Sequence, residues 1–401
     1  MWAFPDIQSY SSCIPSSEFW DCEDQDQDVM EMPIHSLNYN IASKTTEDQH
    51  ETEQECGKKI KLWLLRNDPE ASTQLNRRRH IEYLCKGLSS LSSGYSSLDC
   101  SRTWICYWII NSLNLLSANM YLTSDLQSRL VHFIASCQHP RGGFGGGPLQ
   151  YAHMAATFGA VMALLSIGTK DAYNAINRQT FYEYLLRQKQ PDGSFSVQDG
   201  GEIDIRAAYC GLACASVMNI IDERLCKHTL DWLSACQTYQ GGFAQEPDDE
   251  AHGGYAYCGM AAYIIIQSHF PHLITKENRI DIEKLTRWQA FKQMEFSGGF
   301  QGRTNKLVDA CYSFWVGAVF PMIERLKQLR QKQEGKEVES KEENENDANA
   351  EEMKKDGNVA NGDHDAGDDD DAEFDTLFHS LQLQKYILVC CQYFNGGIAD
   401  K

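Results

Sequence analysis

The stretch Arg303-Thr304-Asn305-Lys306-Leu307-Val308-Asp309-Ala310-Cys311-Tyr312-Ser313-Phe314-Trp315 sets two cations, a carboxylate, a thiol, a phenol and an indole within thirteen residues. Arg303 and Lys306, three apart, can hold a diphosphate between them. Asp309 and Cys311, at i and i+2 on an irregular turn, can both reach one metal ion. Anion site and metal site would then be neighbours. Taken alone, the pair is also what a helix-capping Asp beside an ordinary buried Cys looks like. Upstream, His252 precedes Gly253-Gly254, a pair that lets a ligand come close to the backbone. The plainer reading of His252 is a satisfied core histidine.

These residues sit in a repeat. Gln138-His139-Pro140-Arg141-Gly142-Gly143-Phe144 is echoed at Gln190–Phe195, Gln237–Phe243, Gln293–Phe300 and Gln392–Ile398. The final apolar residues are spaced 51, 48, 57 and 98 apart, and the last spacing falls to 55 without a 43-residue acidic insert. A period near fifty is an architectural repeat. Each unit reads as helix, Gly-rich turn, helix. Segments before the turn, such as 130–137 and 230–236, carry apolar residues at helical spacing and suit an outer ring. Segments after it, such as 207–215 and 259–266, are small and apolar nearly all round, as an inner helix should be. Glycine at the turn permits positive φ, and the aromatic after it can plug the junction. Helix pairs of this kind stack as an open solenoid or close as a barrel.

The chain has 401 residues, 42% of them hydrophobic, enough to bury a large core. It has no apolar run long enough to span a bilayer, and its N-terminus lacks the pattern of a secretory signal. Fifteen cysteines without such a signal are expected to be reduced thiols in a cytoplasmic protein. Pairs such as Cys390-Cys391 read as core filler. The net charge of −20 is local: residues 1–70 hold 15 acidic and 5 basic side chains, and residues 331–373 hold 17 and 5. The remainder is close to neutral, which gives no footing for a nucleic-acid surface. The expected organisation is a loose acidic region at 1–70, a barrel at 71–330, a disordered acidic insert at 331–373, and a continuation of the barrel at 374–401.

With the repeat and the Arg303–Trp315 stretch together, the chain resembles the β subunits of protein farnesyltransferases, within the protein prenyltransferase β family. The likeness runs from about residue 80 to 401. It is carried by Ser101–Trp108, Gly142–Pro148, Gly201–Cys210, Ala251–Tyr255 and Gly298–Trp315, five blocks in one order. The resemblance implies an all-α fold, a closed α/α barrel of inner and outer helices. It also implies a helical α-subunit partner, one zinc ion, a prenyl diphosphate, and transfer of farnesyl to the cysteine of a C-terminal CaaX motif.

Residue by residue, it implies zinc ligation by Asp309 and Cys311, and contacts to the departing diphosphate from Arg303, Lys306, His252 and Tyr312. Gly253, Gly254, Tyr255, Thr304, Asn305, Ser313 and Phe314 would flank the substrate. Trp104, Trp108, Arg206, Tyr209, Tyr255, Cys258 and Trp315 would wall the isoprenoid channel, with Trp104 and Trp108 limiting the lipid to fifteen carbons. Phe158 stands where relatives often carry tyrosine. Asp400 matches a carboxylate assisting Mg²⁺ at the diphosphate. The family's third zinc ligand is a histidine in a Tyr-His pair about ten residues beyond the position of Asp400, so the expected barrel is truncated at its C-terminal end.

Two related readings share the barrel. A geranylgeranyltransferase β subunit would need a small residue in place of Trp104. A non-catalytic barrel would bind prenyl diphosphate or the α subunit without transfer. A terpene cyclase would need an acidic protonating motif, which Asp204 alone does not supply.

Overall fold

Each Gly-rich turn closes through a single β-type bridge from the end of the outer helix to the turn's last apolar residue: Gln138 to Phe144, Lys189 to Phe195, Gln237 to Phe243, Gln293 to Phe300, Gln392 to Ile398. The computed structural model describes residues 43–65, 73–331 and 377–400, and among them these bridges and two more, Ser196 to Ile203 and Gln301 to Val308, are the only β structure. Phe144, Phe195, Phe243 and Phe300 are buried to 1% exposure or less, so the aromatic does plug the junction. Ile398, at 45% exposure, does not.

The turns also explain how the ring is built. Gly142, Gly241 and Gly396 have φ of 89°, 106° and 90°. A Cβ at these positions would lie 1.9 Å from the Thr180 carbonyl oxygen, 2.3 Å from that of Lys284 and 2.2 Å from that of Arg79, respectively. Every one of those carbonyls belongs to the next outer helix. The last contact runs from residue 396 back to residue 79, so the outer ring closes on itself.

The helices are α1 (Lys44–Leu64), α2 (Arg77–Ser89), α3 (Arg102–Leu115), α4 (Ser124–Ser136), α5 (Met154–Ile167), α6 (Arg178–Gln188), α7 (Ile205–Val217), α8 (Thr229–Ala235), α9 (Gly253–His269), α10 (Ile282–Ala290), α11 (residues 319–331, preceded by the short turn of helix Tyr312–Trp315) and α12 (Ser380–Lys385). The inner helices α3, α5, α7 and α9 pack on one another in order. Outer helices such as α4 bury one stripe only, here Leu130 and Ile134.

A second repeated device ties the inner helices together. The first N–H of each donates to a carbonyl two residues past the plugging residue of the next turn: Arg102 to Gly146 (3.1 Å), Met154 to Val197 (2.7 Å), Ile205 to Gln245 (3.0 Å), Gly253 to Gly302 (2.8 Å) and Ala310 to Asp400 (2.7 Å). These are the donors that a helix leaves unsatisfied at its start. Side chains at a fixed place in the repeat bond near the same ends, and the first three of them cap α5, α7 and α9. His153, Asp204, His252 and Asp309 each lie nine residues past a plugging Phe, and each accepts from the N–H two residues on.

Residues 1–70 read as loose in the sequence, but Lys44–Leu64 forms a helix. A capping box between Ser43 and Thr46 starts it, and a narrow stripe of Gln49, Thr52 and Cys56 is buried. Lys59 donates to the Cys390 carbonyl at 2.6 Å, and Lys385 lies 6.0 Å from the centre of the Trp63 ring. The helix is polar overall and gains its order by docking, which composition does not reveal. Residues 1–42 and nearly all of the 331–373 insert lie outside the described residues.

Candidate active site

The capping ends of the inner helices share one end of the barrel, and His252, Tyr255, Arg206, Arg303 and Tyr312 meet there. His252 caps α9: its Nδ1 accepts from the Gly254 N–H at 3.0 Å. That assigns the imidazole proton to Nε2, which lies 3.0 Å from the Tyr312 hydroxyl and donates to its oxygen. Burial, with Arg303 and Arg206 nearby, pulls the His252 pKa down to about 4, so the ring is neutral at pH 7. Burial, then the neighbouring Cys311 and Asp309, push Tyr312 up to about 12. The phenol therefore keeps its proton, and because it accepts from His252 that proton is available to a ligand.

Tyr312 depends on a glycine. A Cβ at Gly302 would lie 1.9 Å from the Tyr312 Cζ, so only glycine lets the ring lie across the backbone beside Arg303. Arg303 in turn pairs with Glu250 at 3.0 Å, across a half-exposed pair. The 303–306 turn is held by the Lys306 N–H, which donates to the Arg303 carbonyl (3.2 Å) and to Gln301 Oε1 (3.1 Å). Asn305 takes the left-handed φ of 60° that asparagine tolerates.

Asp309 and Cys311 adjoin this turn. Asp309 Oδ1 accepts from the Cys311 N–H at 2.8 Å, just ahead of the short helix Tyr312–Trp315. Cys311 is exposed on one side. Partial desolvation, then the Asp309 carboxylate, raise its thiol pKa, and Asp400 acts in the same direction. A thiol beside carboxylates is a donor set that calls for a cation. Among the described residues no group of three or more His, Cys, Asp or Glu converges on a metal position, so this pair suits zinc only with ligands from elsewhere. The backbone of Asp400 serves the fold, its carbonyl accepting from Ala310 and from the Tyr386 hydroxyl (2.9 Å).

Below the mouth an aromatic row crosses five inner segments. Trp108 and Trp104 have ring centres 5.5 Å apart, and Trp104–Phe158, Phe158–Tyr209, Tyr209–Tyr257 and Tyr257–Trp315 follow at 5.2, 5.3, 5.4 and 5.3 Å. Phe314 lies tilted against Tyr257, with ring centres 4.8 Å apart. Trp104, Trp108, Tyr209 and Trp315 thus fall in one wall. Tyr257 and Phe158 complete it, and the sequence held a signal for them: Phe158, Tyr209, Tyr257 and Phe314 all lie fourteen residues past a plugging Phe.

Cys258 and Arg206 are not links in this aromatic row. Cys258 is 4% exposed, one step along α9 from Tyr257 and turned into the packing near Cys210. Arg206 stands at the mouth, bonded to the fully buried Asp204 and lying 5.6 Å from the centre of the Tyr255 ring. Tyr255 itself donates to Gln245 Oε1 at 3.0 Å and packs on His252 at 4.9 Å.

The description "Prenyltransferase alpha-alpha toroid domain" matches residues 75–401, and the chain belongs to that family. Within it, the chain is 40% identical to a protein farnesyltransferase subunit beta of Pisum sativum, over 75% of this chain and 73% of that one. It is 37% identical to the protein farnesyltransferase subunit beta of Arabidopsis thaliana, over 82% and 69%. Among solved structures, a Candida albicans protein geranylgeranyltransferase-I complexed with GGPP superposes with a TM-score of 0.59 at 18% identity, covering 81% of this chain and 85% of that one, a likeness of fold.

Proposed function

We propose that the chain is the catalytic β subunit of a protein farnesyltransferase, moving farnesyl from farnesyl diphosphate to the cysteine of a C-terminal CaaX motif. One observation carries the reading. A cationic, proton-donating mouth and a thiol–carboxylate pair stand at the head of a continuous aromatic row, which suits a lipid with a charged head whose reacting carbon lies between them. The likeness to the farnesyltransferase β subunits of Pisum sativum and Arabidopsis thaliana, at 40% and 37% identity, supports it.

The diphosphate would sit against Arg303 and Lys306, which supply fixed charge. Tyr312 donates its hydroxyl proton to the departing oxygen, and neutral His252 orients that hydroxyl. This interaction strengthens as charge grows on the leaving group. The aromatic row excludes water and aligns the chain of the lipid. Asp309 and Cys311 would hold a zinc ion, which when bound lowers the pKa of a coordinated thiol. Mg²⁺ near Asp400 would add to charge neutralisation at the diphosphate. An α-subunit partner and a cytoplasmic location belong to the same proposal. Among the described residues no helix is long and apolar enough to cross a membrane.

The bulk of Trp104, toward the end of the row away from Trp315 and Tyr312, favours the fifteen-carbon lipid over the twenty-carbon one. The test is mass analysis of a peptide ending in Cys-aliphatic-aliphatic-Ser after incubation with the chain, an α subunit and an equal mixture of the two diphosphates. A farnesyl thioether is expected. A geranylgeranyl adduct in excess would favour the related enzyme instead, and no adduct would leave only a binding module.

A further inference from the structure

Lys292 ends the outer segment before the fourth turn and is 2% exposed. Its ammonium donates to Thr304 Oγ1 at 2.9 Å and lies 4.6 Å from the centre of the Trp288 ring. Among the described residues no carboxylate pairs with it, and burial alone lowers its pKa to about 8. An unpaired buried ammonium is costly, and a methionine would fill the same space without that cost.

What it holds is the turn at the mouth. Thr304 lies between Arg303 and the left-handed Asn305, and the Gln301 N–H donates to the Lys292 carbonyl at 2.9 Å. Lys292 thus grips the 301–306 loop with both backbone and side chain. The same place in the repeat, whose carbonyl accepts from the N–H one past the plugging residue, is held by Cys137, Gln188 and Cys236 in the first three units. Gln188 sends its Nε2 to Asp199 at 2.6 Å, four residues past its plugging Phe as Thr304 is four past Phe300. Of these four residues, only Lys292 brings a cation to that place, behind the loop carrying Arg303 and Lys306.

We propose that Lys292 is a positioning residue of the diphosphate site: through Thr304 it fixes the turn presenting Arg303 and Lys306, and it places a desolvated positive charge behind that turn. This rests on the reading of the turn as the diphosphate site. Thr304 is the contact through which it acts, and Lys292 itself touches no substrate.

The experiment uses the full chain with its α subunit and measures equilibrium affinity for farnesyl diphosphate and farnesyl monophosphate. Lys292→Met should weaken the diphosphate about tenfold and the monophosphate by about threefold or less, because the lost charge matters more to the more anionic ligand. Lys292→Arg, which keeps the charge, should recover most of the diphosphate affinity. Thr304→Val should give part of the loss, and it carries the test if Lys292→Met fails to fold. Wild-type affinity in both Lys292→Met and Thr304→Val, with Arg303→Gln impaired, would overturn the role of Lys292 and leave the site reading standing. Equal loss for both lipids without recovery in Lys292→Arg would make Lys292 merely structural and would also overturn it. Unchanged affinity in Arg303→Gln would remove the site reading, and this proposal with it.

Discussion

At the scale of single residues, the mouth works through a chain of hydrogen bonds whose direction is set by electrostatics. A neutral His252 donates to Tyr312, and Tyr312 is left to donate outward. Removing only the phenol proton, in Tyr312→Phe, should lower kcat by roughly ten- to a hundredfold with KM little changed, since one donor to developing charge is lost. Steady-state kinetics on the heterodimer would show it, and a loss confined to KM would contradict the role. Gly302→Ala should reproduce the defect by displacing the ring, without touching any polar group.

His252 also predicts a pH dependence of stability. Its folded pKa, about 4, lies below the ordinary histidine value near 6.5. Between these values the unfolded chain binds more protons, so stability falls as pH drops from 6.5 to 4. Thermal melts of wild type and His252→Gln over that window should show a shallower slope in the variant.

At the scale of elements, one place in the repeat does several jobs. The residue nine past each plugging Phe accepts from the N–H two residues on, and at α5, α7 and α9 it is the helix cap. Evolution of function at that place needs only a change of residue type: His153, Asp204, His252 and Asp309 all accept from the same N–H. The glycine turn and its aromatic were readable in the sequence because they recur with the same residue types. The capping place was not, because histidine and aspartate alternate there and share no obvious pattern. Tyr257 was overlooked although its place in the repeat is aromatic in every turn that ends in Phe. Helix α1 was unreadable for a different reason, since its polar composition hides a stripe only three residues wide. The plugging residues should dominate element stability. Phe243→Ala, with its side chain fully buried, should cost about 3–5 kcal/mol, measured by urea denaturation of the complex.

At the scale of the whole molecule, the barrel is a ring whose last turn returns to its first outer helix, α2. Gln392 Oε1 accepts from the Asn76 N–H at 2.6 Å and lies 2.9 Å from His80 Nε2, while His80 Nδ1 accepts from the Gly397 N–H at 2.9 Å. Gln392→Ala and His80→Ala should each lower Tm, and the double variant should lose less than the sum, because both cut one closure. The closed barrel and the family were legible in the order of the five blocks. The pairing of Arg206 with the fully buried Asp204 was not, because nothing in the residue types marks that carboxylate as buried.

The central claim is that the Arg303–Trp315 stretch is a transfer site as well as a lipid-binding site. The most direct measurement is a single-turnover chase: farnesyl diphosphate is bound to the heterodimer with zinc supplied, a CaaX peptide is added, and thioether formation is timed. The account predicts transfer by the wild type, and in Cys311→Ala and Asp309→Ala retained diphosphate affinity with transfer lowered by at least about a hundredfold. Transfer at the wild-type rate in both variants would contradict it.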